Sequence, residues 1–423
     1  MLTEKENKIL RSISAYEASD HIPKITDLGI RVAGSESARK TEQYLADYFK
    51  GLGLEVVIDE FEEVCFVPSG SSIGITEPDD IKIVGQPMMF CAGTSEAGIT
   101  AEVIYAGTGK EAEIANRDVA GKIVMFDRDS SIVTDCFYGE VNAAAKRGAV
   151  GAIMVNFDKW PFIGTLESGY YDPAKRLLPV EPENIPVMCI GAEDGIKIKH
   201  LLEKSTVKIN IMIDAFLGKR PHSNVRAFIP GTTEPDKKIL FIGHLDTEAN
   251  YGSNDNASGL AILLELARVL SKNPMEKTVE IMPVGCEEIY SLGSYHYCNM
   301  HKDELDKIVC VINIDMVGVG GDLLIMTGGN WIEKDVMTPE WLYKEIKAAA
   351  DELNYKTVFS FNEIGTSDEG RFNDAGVPAV FLWKETDDHY HSLWDQPKYV
   401  DPNNLKVIAE ISCLAAMRIS ANK

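Results

Sequence analysis

The chain has 423 residues, of which 45% are hydrophobic and 25% charged, the balance of a globular protein with two or three domains. A formal net charge of −23 argues against partners such as nucleic acid or an anionic membrane surface. No apolar run reaches the roughly 20 residues that cross a bilayer, and the first residues, MLTEKENKIL, lack the apolar segment of a signal peptide. Eight cysteines without a CxxC pair favour reduced thiols, so we expect a cytoplasmic protein.

The first predicted elements are a helix and a strand. In ARKTEQYLADYFKGLGLEV, apolar residues recur on one helical face and the pattern stops at Gly51 and Gly53. The following VVIDEF predicts a strand. From about residue 62 the pattern changes to short predicted strands rich in Gly and Pro, with one helix, GEVNAAAKRGA, before the strand VGAIMVN. We therefore divide the chain into residues 1–61, an inserted domain at 62–215, and residues 216–423.

The last part of the chain alternates strands and helices regularly. The predicted strands are KILFIG, VEIMPVG, IVCVINID and VPAVFLW, and the predicted helices are ASGLAILLELARVL, PEWLYKEIKAAADEL and NNLKVIAEISCLAAMRI. Such alternation favours parallel strands with helices on both faces of the sheet. The sequence predicts an α/β fold whose mostly parallel mixed sheet is sandwiched by helices.

Each of the four predicted strands is followed by histidine or carboxylate side chains. In chain order these are His244, Asp246, Asp255, Glu287, Glu288, Asp315, His389 and His391. Ligands of open α/β sheets gather beyond the carboxyl ends of the strands. Histidines and carboxylates suit zinc or a similar ion, and the absence of cysteine ligands favours an open catalytic site over a structural one. One carboxylate can also bridge two cations roughly 3.5–4 Å apart, and a further acid beside them can act as a base.

Each segment alone has a structural explanation. SNDNASG is typical of an Asx turn and a helix cap, CEE at a loop–helix junction favours the helix dipole, and NID is compatible with a solvated acid at a strand end. A common edge for all four segments is harder to attribute to chance.

The same segments carry a family resemblance. In order and context, GHLDT, NDNASG, CEEIYSLGS, INIDMVG and YHSLWD resemble the co-catalytic (dinuclear) zinc aminopeptidases, a family that includes bacterial leucyl aminopeptidase, glutamate carboxypeptidase and the transferrin receptor. The resemblance covers roughly residues 20–60 and 220–423. It implies the zinc-dependent exopeptidase fold, two divalent cations per chain, with zinc expected, and removal of N-terminal residues from peptide substrates.

The resemblance assigns the metal ligands by position. His244 and Asp315 would hold one cation, Glu288 and His391 would hold the other, and Asp255 would bridge the two.

It also assigns the neighbouring roles. Glu287 would be the general base, and Asp246, two residues beyond His244, would orient that imidazole. We choose His391 over His389 because His391 occupies the His-Ser-x-x-Asp position of the motif. The other histidines (21, 200, 222, 296 and 301) are interpreted as structural or surface residues.

The inserted domain at 62–215 resembles a protease-associated (PA) domain. The features that carry the resemblance are AEVIYAGTG, VAGKIVMFDRD, NAAAKRGAVGAIMVNFD and IPVMCIGAEDG. Two roles stay open: such a domain can shape or cover the substrate entrance, or simply pack against its neighbour.

Two positions depart from the family pattern. Glu369 follows Asp368 where relatives commonly have histidine, and Ile364 stands where some have a tyrosine that assists the oxyanion. The residue that performs that task is therefore not identified. Glutaminyl cyclase-like acyl transfer, carboxypeptidase or deacylase activity, and a non-catalytic receptor-like role remain alternatives. No sequence feature predicts the oligomeric state.

Overall fold

The computed structural model describes residues 1–128, 138–156, 185–331, 334–363, 365–385 and 387–422. By internal contacts the chain forms two units. The larger unit comprises residues 1–63, 221–247 and 251–423, and the smaller unit comprises residues 64–220 and 248–250.

The bounds of the elements are as follows. The helices are α1 (Glu4–Leu10), α2 (Ala15–Thr26), α3 (Glu36–Gly51), α4 (Glu111–Ala115), α5 (Tyr138–Ala145), α6 (Ala192–Leu202), α7 (Ala257–Leu270), α8 (Leu292–Met300), α9 (Glu340–Glu352), α10 (Glu369–Asp374) and α11 (Pro402–Ala421). The strands are β1 (Glu55–Glu77), β2 (Ile81–Ile83), β3 (Gly85–Pro87), β4 (Ile99–Tyr105), β5 (Ile123–Asp127), β6 (Gly151–Val155), β7 (Val187–Ile190), β8 (Lys208–Ile229), β9 (Glu234–His244), β10 (Lys277–Val284), β11 (Ile308–Ile314), β12 (Leu323–Trp331), β13 (Lys334–Met337), β14 (Thr357–Asn362) and β15 (Ala379–Lys384).

The larger unit is built on a mixed sheet with a parallel centre. Strands β10, β9, β11 and β15 lie side by side in that order and run parallel. Beyond β15 the sheet continues antiparallel into β12, and beyond β10 it continues antiparallel into the end of β8. The predicted α/β fold with a mostly parallel mixed sheet is confirmed. Since β9, β10, β11 and β15 run the same way, their carboxyl ends share one edge.

Helix α7 is almost completely buried, which explains why its sequence is nearly all apolar. All its residues except Arg268 are buried, which matches the nearly continuous apolar run ASGLAILLELARVL. The one buried acid, Glu265, accepts hydrogen bonds from the Arg268 guanidinium at 2.6 Å and from the main-chain N–H of Ser14 at 2.6 Å. A buried charge is tolerated where it is paired in this way.

The smaller unit has its own sheet. Strands β4, β5, β6 and β7 run parallel, β3 pairs antiparallel with β7, and residues 208–211 of β8 pair antiparallel with β4. The prediction of only short strands here is wrong for β1 and β8, which are 23 and 22 residues long. Strand β1 continues through Pro68 and Gly70, and proline within a sheet is confined to positions that need no ladder N–H.

In the described residues, no helix combines the length and the apolar character that a bilayer crossing requires.

Candidate metal centre

Five predicted ligands lie together at the carboxyl edge of the parallel strands. His244 is the last residue of β9, and Asp315 directly follows β11. Glu288 lies four residues past the end of β10, Asp255 precedes α7, and His391 lies in the segment after β15. Their side chains are between 1% and 8% exposed. Residues that are far apart in sequence therefore form one buried cluster.

Asp255 occupies the middle of this cluster. His244 Nε2 lies 3.1 Å from Asp255 Oδ1 and 3.2 Å from Asp315 Oδ1. On the other side, His391 Nε2 lies 3.3 Å from Asp255 Oδ2 and 3.3 Å from Glu288 Oε2. Each carboxylate oxygen of Asp255 thus faces a different imidazole. The result is two donor sets that share one acid, each with a histidine and a further carboxylate.

The chemistry of these donors fits divalent cations. Potential ligand atoms of His244, Asp255 and Asp315 all lie within 4.8 Å of one another. Nitrogen and carboxylate oxygen donors without cysteine suit zinc and other borderline ions. Burying three carboxylates beside two imidazoles is costly unless positive charge compensates them.

The pKa shifts of the cluster residues reflect the same excess of negative charge. Burial opposes the charged imidazolium of His244, yet Asp315 and Asp255 outweigh burial and hold the pKa of His244 well above its usual value. Burial would raise the pKa of Asp255, but hydrogen bonds from His244 and His391 lower it. Burial and the neighbouring Asp255 raise the pKa of Glu288 to about 7. A bound cation would supply the positive charge that the histidine protons provide here.

Glu287 lies beside the ligands without belonging to the group around His244. Burial raises the pKa of Glu287 well above the usual value for a glutamate; His244 opposes this shift, and repulsion from Asp315 adds to it. Its Oε1 lies 3.4 Å from the Ser291 hydroxyl. A carboxylate with a raised pKa next to a candidate metal centre is suited to accepting and returning a proton.

Asp246 contacts the residues at this edge through both its carboxylate and its main-chain carbonyl. Its carboxylate accepts the main-chain N–H groups of Glu287 at 3.1 Å and of Glu288 at 3.2 Å. His244 Nδ1 lies 3.2 Å from the main-chain carbonyl oxygen of Asp246 and 3.9 Å from its carboxylate. The carbonyl is therefore the nearer partner of the imidazole, and the carboxylate holds the acidic pair in place.

Two further residues support ligands and were not predicted from the sequence. The carboxylate of Asp395 accepts the main-chain N–H groups of Asn254 at 2.8 Å and Asp255 at 3.0 Å. The hydroxyl of Ser367 donates to Asp315 Oδ2 at 2.8 Å. Asp395 is the aspartate of the His-Ser-x-x-Asp segment, so its position in that motif was the available signal.

Of the two positions that depart from the family pattern, the structure describes Glu369, which is a buried polar residue next to Asp368. Glu369 accepts the Ser367 N–H at 3.1 Å and an Asn313 amide N–H at 3.2 Å, and burial raises its pKa to about 8. Asp368 accepts the Ser294 hydroxyl at 2.6 Å. Ile364 lies outside the described residues.

His389 stacks on Tyr399 with ring centroids 4.0 Å apart.

Several turns at this edge place residues with a Cβ in the left-handed region. They are Cys286, Tyr290, Ser291, Met316 and His391, with φ between 48° and 60°. Positive φ is uncommon for such residues and clusters at functional sites, where the surrounding structure enforces it. Here it turns the chain sharply just after β10 and β11 and at the last histidine.

Comparisons with known proteins point to one family. Residues 224–416 match the protein family described as Peptidase family M28, and residues 96–198 match the PA domain. Among curated relatives, Aminopeptidase YwaD of Bacillus subtilis is 25% identical, with 91% of this chain and 80% of the relative covered. Carboxypeptidase Q of Mus musculus is 24% identical, with 93% and 83% covered. The crystal structure of BSAP, a zinc aminopeptidase from Bacillus subtilis, superposes with a TM-score of 0.77 at 24% identity, covering 96% of this chain and 95% of that one. At 24% identity, this structural similarity supports the fold assignment alone.

Proposed function

We propose that this chain belongs to peptidase family M28, carries a PA domain, and is a metal-dependent aminopeptidase that releases N-terminal residues from peptides. The observation that carries this proposal is the pair of donor sets that share Asp255. His244 and Asp315 would hold one cation, and Glu288 and His391 the other. We propose zinc as the metal because of the nitrogen and oxygen donors.

Divalent cations bound by these residues would polarise the scissile carbonyl and lower the pKa of a bound water. Glu287 would accept a proton from the attacking water and would later pass a proton to the amine that leaves. Asp246 keeps Glu287 at the edge through its hydrogen bond to the main chain. Asp395 and Ser367 hold the carboxylates of the centre in the positions where they can ligate.

Two finer points belong to the same proposal. We place the protein in the cytoplasm, because its eight cysteines include no CxxC pair, a pattern that favours reduced thiols. We place the boundaries of the inserted PA domain at about residues 62 and 215.

The test compares matched peptides with a free and with a blocked N-terminus. An aminopeptidase cleaves the free peptide, loses activity in a chelator and regains it with zinc. Cleavage of the blocked peptide from its carboxyl end would favour carboxypeptidase activity, which is the second candidate because Carboxypeptidase Q is among the relatives. Pyroglutamate as the product would instead indicate glutaminyl cyclase chemistry. Release of a blocking acyl group would indicate a deacylase, and no turnover with zinc bound would indicate a receptor-like protein.

A further inference from the structure

Arg31 reaches the metal centre from a distant part of the sequence. It lies between α2 and α3, and its side chain is completely buried. Its Nε donates to the carbonyl oxygen of Leu245 at 2.9 Å, and its Nη1 donates to that of Tyr251 at 2.8 Å. A third hydrogen bond, 2.9 Å long, joins Nη2 to the carbonyl oxygen of Gly252. One guanidinium therefore spans the two ends of a single loop.

The loop that Arg31 spans connects two predicted ligands. Leu245 directly follows His244, and Gly252 lies three residues before Asp255. A planar guanidinium has five donors in a fixed fork, so three bonds to separate carbonyls fix the distance between these loop ends. An ammonium group offers no such fork.

A cation and an anion both bind the backbone of this loop: Arg31 binds its carbonyl oxygens, and the Asp395 carboxylate accepts the N–H groups of Asn254 and Asp255. Burial lowers the pKa of Arg31 to about 10, although nearby carboxylates, Asp395 foremost, act to raise it. The guanidinium is therefore charged at neutral pH, and its charge partly offsets the acids around it.

Gly252 shows how closely the guanidinium approaches the loop. Its φ is +56°, and a Cβ there would lie 2.8 Å from Arg31 Nη2 and 2.3 Å from the carbonyl oxygen of Asp255. The position therefore needs glycine both for its backbone conformation and for space.

We propose that Arg31 is a positioning residue of the metal centre: by clamping the loop between His244 and Asp255, it sets the separation of these two ligands and so raises the affinity for divalent cations. This inference rests on the proposed metal centre. The three hydrogen bonds of the Arg31 side chain go to main-chain carbonyl oxygens, so Arg31 acts through the loop backbone.

The test measures the zinc affinity of metal-free protein by competition with a chromogenic chelator, alongside its thermal melting. Arg31→Lys keeps the charge and most of the bulk but loses the fork. We expect its zinc affinity to fall about 10–100-fold, the usual cost of losing a partner that orients a ligand. The matched control is Arg226→Lys, which alters another buried guanidinium, bonded to Glu280 and Asp59, away from the loop. Its zinc affinity should equal that of the parent.

The outcomes separate the two proposals. If the parent binds no zinc, the metal centre itself is wrong. If the parent binds zinc and folded Arg31→Lys binds it equally well, the centre stands and the role of Arg31 is overturned. A fall in melting temperature with unchanged zinc affinity would likewise overturn it, because that is the signature of a purely structural residue. Should Arg31→Lys fail to fold, Gly252→Ala provides the second probe, and parent-like zinc affinity there counts against the proposal.

Discussion

The larger unit contains two buried polar clusters, one neutralised by its own side chains and one with an excess of negative charge. In the Arg226 cluster, Arg226 Nε lies 2.6 Å from Glu280, and Arg226 Nη1 lies 3.1 Å from Asp59. His301 Nε2 lies 2.7 Å from Asp59, and Lys238 Nζ lies 3.5 Å from Glu280. Asp59 and Glu280 thus face two permanent cations and a histidine, and Lys238 also pairs with the exposed Glu304 at 3.1 Å. This cluster is neutralised by its own side chains.

The candidate metal centre is not balanced in this way. Its three carboxylates, from Asp255, Glu288 and Asp315, face the two imidazoles of His244 and His391, and the Arg31 guanidinium offsets only part of their charge. The comparison teaches that burial alone does not identify a functional site, since both clusters are buried. What distinguishes the candidate site is an excess of negative charge, which favours the binding of cations.

The sharpest way to break the comparison is Asp255→Asn. This change removes the acid shared by both donor sets while keeping its shape. We expect activity to fall at least about 10⁴-fold, which is as large as the loss caused by removing a general acid or base. Bound zinc, measured by elemental analysis after gel filtration, should fall with it. An active variant with a full zinc complement would show that Asp255 does not bridge.

Glu287→Gln separates the base from the ligands. The amide cannot accept the proton of the water, so we expect kcat to fall about 10²–10⁴-fold. Zinc content should match the parent, because Glu287 is not in the ligand group around His244. Near-normal turnover with metal bound contradicts its assignment as the base.

Glu280→Gln tests the self-neutralised cluster. The change leaves the buried Arg226 and the adjacent Lys238 without their common acid. We expect the free energy of unfolding to fall by about 3–5 kcal/mol, the cost of breaking a buried ion pair. Zinc affinity should stay at the parent value. Chemical denaturation measures the free energy of unfolding, and zinc titration of the same preparation measures the zinc affinity.

A buried histidine outside both clusters extends the comparison to pH. Burial lowers the pKa of His21 to about 4, with smaller contributions from Lys24 and Arg268 that Asp20 opposes, and the ring bonds Tyr44 at 2.6 Å. Because the unfolded state binds the proton more readily between pH 4 and 6.5, stability contributed by neutral His21 is complete above pH 6.5 and is lost as pH falls towards 4. The loss reaches up to about 3 kcal/mol.

The measurement for His21 is a denaturation series from pH 4 to 8. His21→Gln should unfold with a flatter pH dependence than the parent across the acidic half. Identical pH profiles for the two proteins would refute the assignment.

The sequence predicted the fold where one physical rule decides it. Strand and helix periodicity located β9, β10, β11, β15, α7, α9 and α11 within a few residues. Parallel strands share a carboxyl edge, so placing His244, Asp315 and the acidic pair together followed from the order of elements. Strand β1 was drawn too short, because Pro68 and Gly70 are turn signals whose effect depends on which neighbour pairs with them.

The supporting contacts could not be predicted in the same way. Arg31 lies 214 positions before Leu245, and no local pattern indicates that its side chain points into that loop. Whether Asp246 holds His244 by its carboxylate or by its carbonyl depends on one side-chain rotamer. Ser367 is one small hydroxyl among many, and only the folded chain brings it to Asp315.

The wide spacing of the shared acid and its partners has a consequence during biosynthesis. The first histidine of the centre precedes the last one by almost 150 positions in the chain. A ribosome adding about 5–20 residues per second needs roughly 7–30 s to cover that distance. Until then, the nascent polypeptide carries four of the five predicted ligands and lacks the second histidine. The complete donor set around Asp255 therefore forms only after the segment that follows β15 has been synthesised.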